Sequence, residues 1–163
     1  MNDAGDVKTL RMASPEVSEA WVSAYLRYQS ALLASLERGD TDAGPSAEAR
    51  LAQAHHGARE ASGLQPEALS RLQAVCADYC GRLRTAEELR RALDGGNVDE
   101  ERAKRARLQL RILEDWSAFR SRYGDAAVDA LEQQKGPLLD FHRRLTLIFQ
   151  NLPPITSPVH ARS

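Results

Sequence analysis

Two cysteines, Cys76 and Cys80, are the residues of this chain whose type and spacing most directly suggest chemistry. They lie four positions apart in a segment with helical periodicity, so both side chains fall on one face of the predicted helix. This parallel arrangement is poorly suited to a disulfide between them, but two thiolates on one face can contribute to a zinc or copper site. Such a site needs one or two further ligands from other helices.

Histidines on neighbouring helices could supply those ligands. His55 and His142 both fall on predicted inward faces, so a metal site that combines two cysteines with two histidines is geometrically possible. Its ligands would be Cys76, Cys80, His55 and His142. In the alternative interpretation the cysteines fill the core as small hydrophobic residues and each histidine is an ordinary core or interface residue. The sequence favours this packing interpretation, because no histidine stands beside a nucleophile or a binding motif. We therefore expect no cofactor.

A basic segment, ERAKRARLQLR at residues 101–111, is the second feature that suggests binding. If the chain turns at Gly95 and Gly96, this segment lies antiparallel to the preceding helix, and residues 82–111 form one hairpin. The candidate contact residues are Arg84, Arg91, Arg102, Arg105, Arg107 and Arg111. Such a cluster could bind nucleic acid or an acidic protein surface. Acidic residues at helical spacing balance most of the charge, however, so an exposed ion-paired face is the simpler interpretation.

The overall composition is typical of a globular domain. The chain has 163 residues, of which 42% are hydrophobic and 28% charged, and a net charge of -1, so general attraction to nucleic acid is not expected. No segment approaches the roughly 20 apolar residues of a transmembrane helix. Arginine outnumbers lysine nineteen to three, as in bacterial genomes rich in G and C. We expect a cytoplasmic protein, or a periplasmic or lipid-anchored one if a signal peptide has been removed.

Proline, glycine and capping residues divide the chain into five predicted helices, and no stretch alternates as a strand does. The predicted helices cover residues 14–38, 46–62, 66–93, 97–123 and 125–151. The last helix should kink or break near Lys135, because Pro137 removes a backbone donor. The predicted fold is an all-α antiparallel bundle of four to five helices. Residues 14–152 should form one domain, between flexible segments at residues 1–13 and 153–163.

Apolar spacing also predicts which residues face the core. In the fourth predicted helix the inward stripe consists of Leu108, Ile112, Trp116, Phe119 and Tyr123. In the third, a longer seam with steps of three and four and one skipped position at Arg90 consists of Leu69, Leu72, Cys76, Tyr79, Leu83, Ala86 and Leu93. Seams of this length could serve a partner as well as the core.

The chain contains no phosphate-binding loop, zinc-protease motif, nucleophile elbow or haem-attachment motif, so we do not expect an enzyme. The leading interpretation is a bacterial, non-catalytic interaction module, of the adaptor, regulator or chaperone-like kind. It would bind another protein, or itself as an oligomer, through the predicted hairpin or the last helix. One alternative is a helical bundle that binds a metal or small ligand. Another is a nucleic-acid-associated regulator that uses the hairpin at residues 82–111.

Overall fold

The computed structural model describes residues 17–38 and 46–152, and within these ranges the chain forms helices and no strand, as predicted. The bounds of the helices are α1 (Glu19–Glu37), α2 (Ala47–Ser62), α3 (Pro66–Asp94), α4 (Glu100–Glu114), α5 (Ser117–Tyr123), α6 (Asp125–Gln133) and α7 (Lys135–Asn151). The segments predicted to be flexible, residues 1–13 and 153–163, lie outside the described residues. No described helix has both the length and the apolar character needed to cross a lipid bilayer.

Two helices begin later than predicted, and each begins at a side chain that caps it. The Oγ of Ser18 accepts a hydrogen bond from the backbone N–H of Trp21 at 3.5 Å, so α1 starts after Ser18 and Val17 lies outside it. A carboxylate oxygen of Asp99 accepts from the N–H of Arg102 at 2.9 Å, which makes Asp99 the cap of α4. The prediction of a cap two residues earlier was wrong, because a carboxylate also suits the positive end of the helix dipole.

The predicted fourth helix is divided into α4 and α5 at Asp115 and Trp116. The backbone of Asp115 is extended, and its carboxylate accepts hydrogen bonds from the N–H and Oγ of Ser117 at 3.0 and 2.6 Å. Asp115 therefore satisfies the free amide of the next helix instead of continuing the previous one. This local competition explains why continuous apolar spacing did not produce a continuous helix.

The predicted interruption near Lys135 is confirmed. Helix α6 ends at Gln133, α7 begins at Lys135, and Pro137 lies in the first turn of α7. Backbone amides in a first turn have no acceptor within their own helix, so proline is tolerated there without loss of a hydrogen bond. The interruption lets α6 and α7 pack separately.

The core forms around α1, which packs against α2, α3, α6 and α7. The largest fully buried side chains of the core are Val22, Tyr28, Val75, Tyr79, Cys80, Val128, Leu131 and Leu138. At the other end of the molecule, the C-terminal half of α3 and the whole of α4 form a hairpin. Helix α4 contains no buried residue, and its main neighbour among the described helices is α3.

Candidate functional site

The cysteines lie inside the core. Cys76 and Cys80 are both buried and both free, and they face Tyr25 of α1. Burial raises the pKa of Cys80 to about 11, and burial together with the neighbouring Cys80 raises the pKa of Cys76 further. Both thiols are therefore protonated at neutral pH, whereas metal ligation and nucleophilic attack require the thiolate.

The two histidines lie apart from the cysteines. His55 of α2 and His142 of α7 face the same cavity, and neither cysteine lines it. Among the described residues no group of three or more histidine, cysteine, aspartate or glutamate side chains is placed to hold a metal ion. The structure therefore brings the two predicted histidines together but does not assemble the four residues into one ligand set.

This cavity lies between α1, α2, α3 and α7 and has a volume of about 170 Å³. Its polar and aromatic lining includes Tyr28, Gln29, His55, His142, Thr146 and Phe149. A second depression, of about 360 Å³, shares Tyr28, His55 and Gln73 with it and opens toward Arg59 on α2. The small residues of α2 allow this helix to lie close to its neighbours, since Ala54 and Ala58 are buried against the rest of the core.

The histidines of the cavity are held in the neutral form. The hydroxyl of Tyr28 and Nδ1 of His55 are joined by a hydrogen bond of 2.5 Å. Burial lowers the pKa of His55, and burial together with the positive charge of Arg84 lowers the pKa of His142. Burial also raises the pKa of Tyr28, so its hydroxyl keeps its proton. At neutral pH these three side chains offer hydrogen bonds without carrying charge.

Gln29 was not singled out from the sequence. It is only 4% exposed, and its Oε1 has no hydrogen-bond partner among the described residues. A buried acceptor without a partner costs about 1–3 kcal/mol. Gln29 lies four residues after Tyr25 and three before Leu32, on the apolar face of α1. A polar residue on such a face was the signal that could have identified it.

The hairpin carries the six arginines that were predicted as contact residues, and they fall into two groups. Three form ion pairs along the surface: Arg84 with Glu88 at 3.6 Å, Arg102 with Asp99 at 3.3 Å, and Arg91 with Glu87. The others, Arg105, Arg107 and Arg111, form no ion pair with a described residue, and neither does Lys104. The unpaired positive charge is thus concentrated on α4.

Between these charges lie two apolar side chains that were predicted to be buried. Leu108 is 58% exposed and Ile112 is 61% exposed. The prediction was wrong for these two residues because no described helix covers that face of α4, whereas Phe119 of the same predicted stripe is buried. Leu108 and Ile112 are one helical turn apart, so they form a short apolar stripe on the surface.

Arg82 of α3 fixes the end of this hairpin, a role that the sequence did not reveal. Its guanidinium donates hydrogen bonds to the backbone carbonyls of Ile112, Leu113 and Asp115 at 3.2, 3.1 and 3.0 Å. It also lies 5.1 Å from the ring centre of Trp116, within the range of a cation–π interaction. Arg82 thereby satisfies the free carbonyls at the C-terminus of α4 and holds the helix against α3.

Comparisons of this chain with known protein families, with curated proteins and with solved structures give no match in any of the three.

Proposed function

We propose that this protein is a non-catalytic interaction module whose α3–α4 hairpin binds an amphipathic, acidic helix of another protein. The observation that carries the proposal is the exposed stripe of Leu108 and Ile112 on a helix that buries none of its residues. In this proposal the remaining helices form an antiparallel bundle of four to five helices that supports the hairpin. The protein would act as an adaptor, regulator or chaperone-like factor of a bacterium.

The apolar part of the surface is suited to a helix. Leu108 and Ile112 follow the axis of α4, and the aliphatic parts of Lys104, Arg105 and Arg111 extend the apolar area on either side. A partner helix with apolar residues at spacings of three and four could lay them against this stripe, as amphipathic helices do in hydrophobic grooves. Burying each of the two exposed side chains would contribute roughly 1–2 kcal/mol.

The charges beside the stripe determine which helix would bind. On a helical projection Lys104, Arg105 and Arg111 flank Leu108 and Ile112, and these cations have no ion-pair partner among the described residues. A second copy of α4 would bring its own arginines against them, which is unfavourable. A partner with glutamate or aspartate beside its apolar residues would pair with them. Charge complementarity therefore favours an acidic partner over self-association.

The test uses two labelled helical peptides with the same apolar stripe, one flanked by glutamate and the other by lysine. Fluorescence anisotropy against the full chain should give a Kd in the micromolar range for the acidic peptide and binding at least tenfold weaker for the basic peptide. The double substitution Leu108→Ser and Ile112→Ser should weaken binding of the acidic peptide by about tenfold or more, since 1.4 kcal/mol corresponds to about a factor of ten.

The matched control is Leu147→Ser, which changes an exposed leucine on α7, away from the hairpin. It should leave the affinity for the acidic peptide unchanged. Equal binding of both peptides, or no effect of the double substitution, would contradict the proposal. Sedimentation of the full chain that shows a dimer lost in the double variant would instead support a second copy as the partner.

Duplex DNA in the same assay separates the proposal from nucleic-acid binding, which would use the same cations. DNA binding that weakens steeply with salt, and is lost in the triple variant Arg105→Ala, Arg107→Ala and Arg111→Ala but kept in the Leu108→Ser, Ile112→Ser variant, would favour the nucleic-acid alternative. If the hairpin is an interaction module, binding should instead be lost in the Leu108→Ser, Ile112→Ser variant, because the apolar stripe contributes much of the affinity.

A further inference from the structure

The cavity between α1, α2, α3 and α7 is partly open to solvent and contains a buried, unpaired hydrogen-bond acceptor. Gln29 is 4% exposed, it faces the cavity, and its Oε1 accepts no hydrogen bond from any described residue. Buried polar atoms normally have a partner, in the protein or in a bound molecule. The neighbouring hydroxyl of Thr146 does not provide one, because it donates to the backbone carbonyl of His142 at 2.7 Å. A bound molecule with a donor would satisfy Gln29.

The side chains that line the cavity carry no formal charge at neutral pH. No aspartate, glutamate, lysine or arginine lines it, and its two histidines are uncharged at neutral pH, as shown above. Bringing an ion into such surroundings would cost its hydration, and the nearby charges of Arg59 and Arg84 lie outside the lining. The lining is therefore suited to a neutral molecule.

Aromatic rings form much of the wall, and several of them are nearly parallel. The ring centres of Tyr25 and Tyr28 are 6.0 Å apart with 18° between planes, and those of His55 and Phe149 are 6.4 Å apart with 6° between planes. Tyr28 and His55 link the two pairs, with centres 6.2 Å apart. Aromatic walls favour a planar aromatic guest, which packs in offset-stacked or edge-to-face contacts.

The cavity itself, without the adjoining depression, has the size of one ring. Its volume is about 170 Å³. An apolar cavity of about 150 Å³ in another protein is large enough for benzene. A six-membered ring with one small substituent therefore fits within this cavity. Phe149, which is 39% exposed, and Gln73, which is also exposed, form the part of the wall that opens to solvent.

We propose that this cavity is a binding site for a small, neutral, single-ring aromatic molecule that carries one hydrogen-bond donor, as a phenol does, and donates it to Oε1 of Gln29. The site is distinct from the hairpin surface, and its occupant would stabilise the packing of α1, α2 and α7 around it. Water could satisfy Gln29 as well, but it would leave the aromatic walls without an apolar contact. The experiment below separates these two occupants.

The test compares phenol with toluene, which has the same ring and nearly the same size but no donor. Titration calorimetry and chemical shifts of the full chain should show phenol binding at least tenfold more tightly than toluene, with the largest shifts at Tyr28, His55 and Phe149. Benzoate, which has the ring and a negative charge, should bind more weakly than either. Phenol at saturating concentration should also raise the Tm.

The key variant is Gln29→Met, which keeps the length of the side chain and removes the acceptor. It should reduce phenol binding to the level of toluene and leave toluene binding within about a factor of three. Thr146→Phe, which fills the cavity, should abolish binding of both molecules. The Leu108→Ser, Ile112→Ser variant should bind phenol normally, so failure of this proposal and failure of the hairpin proposal are distinguishable.

Three outcomes would overturn the inference. The first is an absence of binding by both probes at millimolar concentration, which would leave water as the occupant. The second is equal affinity of the wild-type chain for phenol and toluene, which needs no variant to fold. The third is a preference for phenol that survives in Gln29→Met, since the donor would then be recognised elsewhere.

Discussion

The two halves of α3 share a helical apolar spacing but have very different surroundings. Its N-terminal half places Leu72, Val75 and Tyr79 in the core, whereas no residue between Glu87 and Asp94 is buried. Both halves are helical, and both continue the same apolar spacing. The first half lies in the core that α1 and α7 help to form, whereas the second half pairs with α4, for example through Arg90 and Glu114 at 2.6 Å. Helical periodicity therefore shows which face could be buried, but neighbouring elements determine whether it is.

The sharpest test of this comparison replaces one leucine in each region by alanine. Leu131→Ala, at a fully buried position, should lower the free energy of unfolding by about 2–5 kcal/mol, because it removes apolar contacts and leaves a cavity. Leu108→Ala, on the exposed stripe, should change it by no more than about 0.5 kcal/mol. Urea denaturation followed by circular dichroism measures both. Similar losses for the two variants would show that α4 is covered in solution.

An intermediate effect is expected at Arg82, which connects the hairpin to the core. Arg82→Ala removes hydrogen bonds to three carbonyls and the contact with Trp116, and should cost about 1–2 kcal/mol, discounted for its partial exposure. Hydrogen exchange should show faster opening of the last turn of α4.

The control for Arg82 is its neighbour Arg84, whose ion pair with Glu88 is exposed at the surface. Arg84→Ala should cost about 0–0.5 kcal/mol and leave exchange in α4 unchanged. If the two variants behaved alike, the hydrogen bonds of Arg82 would not be what holds the hairpin in place.

The smallest expected effect is a dependence of stability on pH, caused by the two histidines of the cavity and not by the hairpin. Burial lowers the pKa of His55, and burial with Arg84 lowers that of His142. The unfolded chain therefore takes up protons at a higher pH than the folded chain does. The contribution of the two neutral histidines to the free energy of unfolding is complete above the histidine pKa of the unfolded chain, about 6.5. It is lost as the pH falls toward the lower pKa values of the folded chain. The urea midpoint should be lower at pH 5.5 than at pH 7.5.

Substitution of both histidines should reduce this pH dependence. The variant with His55→Gln and His142→Gln should show a smaller decrease in midpoint between the two pH values than the wild type does. An unchanged decrease in the double variant would assign the effect to other titrating groups.

Local signals in the sequence were enough to predict most of the helices. Helix α2 begins after Ser46 and ends at Gly63, whose φ of 71° places it in the left-handed region, as its glycine indicated. Pro137 marked the interruption between α6 and α7 correctly. The division at Asp115 was missed, because it depends on a side chain that competes for hydrogen bonds and not on proline or glycine.

The candidate sites were less predictable than the helices. His55 and His142 do face one cavity, but the sequence could not show that Cys76 and Cys80 face a different part of the core. Residue spacing shows on which side of a helix a residue lies, but it does not show which other helix packs against that side. The importance of Gln29 and Arg82 was missed for the same reason, since their roles depend on atoms contributed by other helices.

By itself the sequence determined that this chain is helical and where most of its helices end, because spacing, caps and breakers act within a few residues. Only the tertiary structure decided that Leu108 and Ile112 are exposed, that the cysteines are separate from the histidines, and that Gln29 lacks a partner. These properties depend on contacts between residues far apart in the chain. Such contacts are set by how whole helices pack together, which no local pattern specifies.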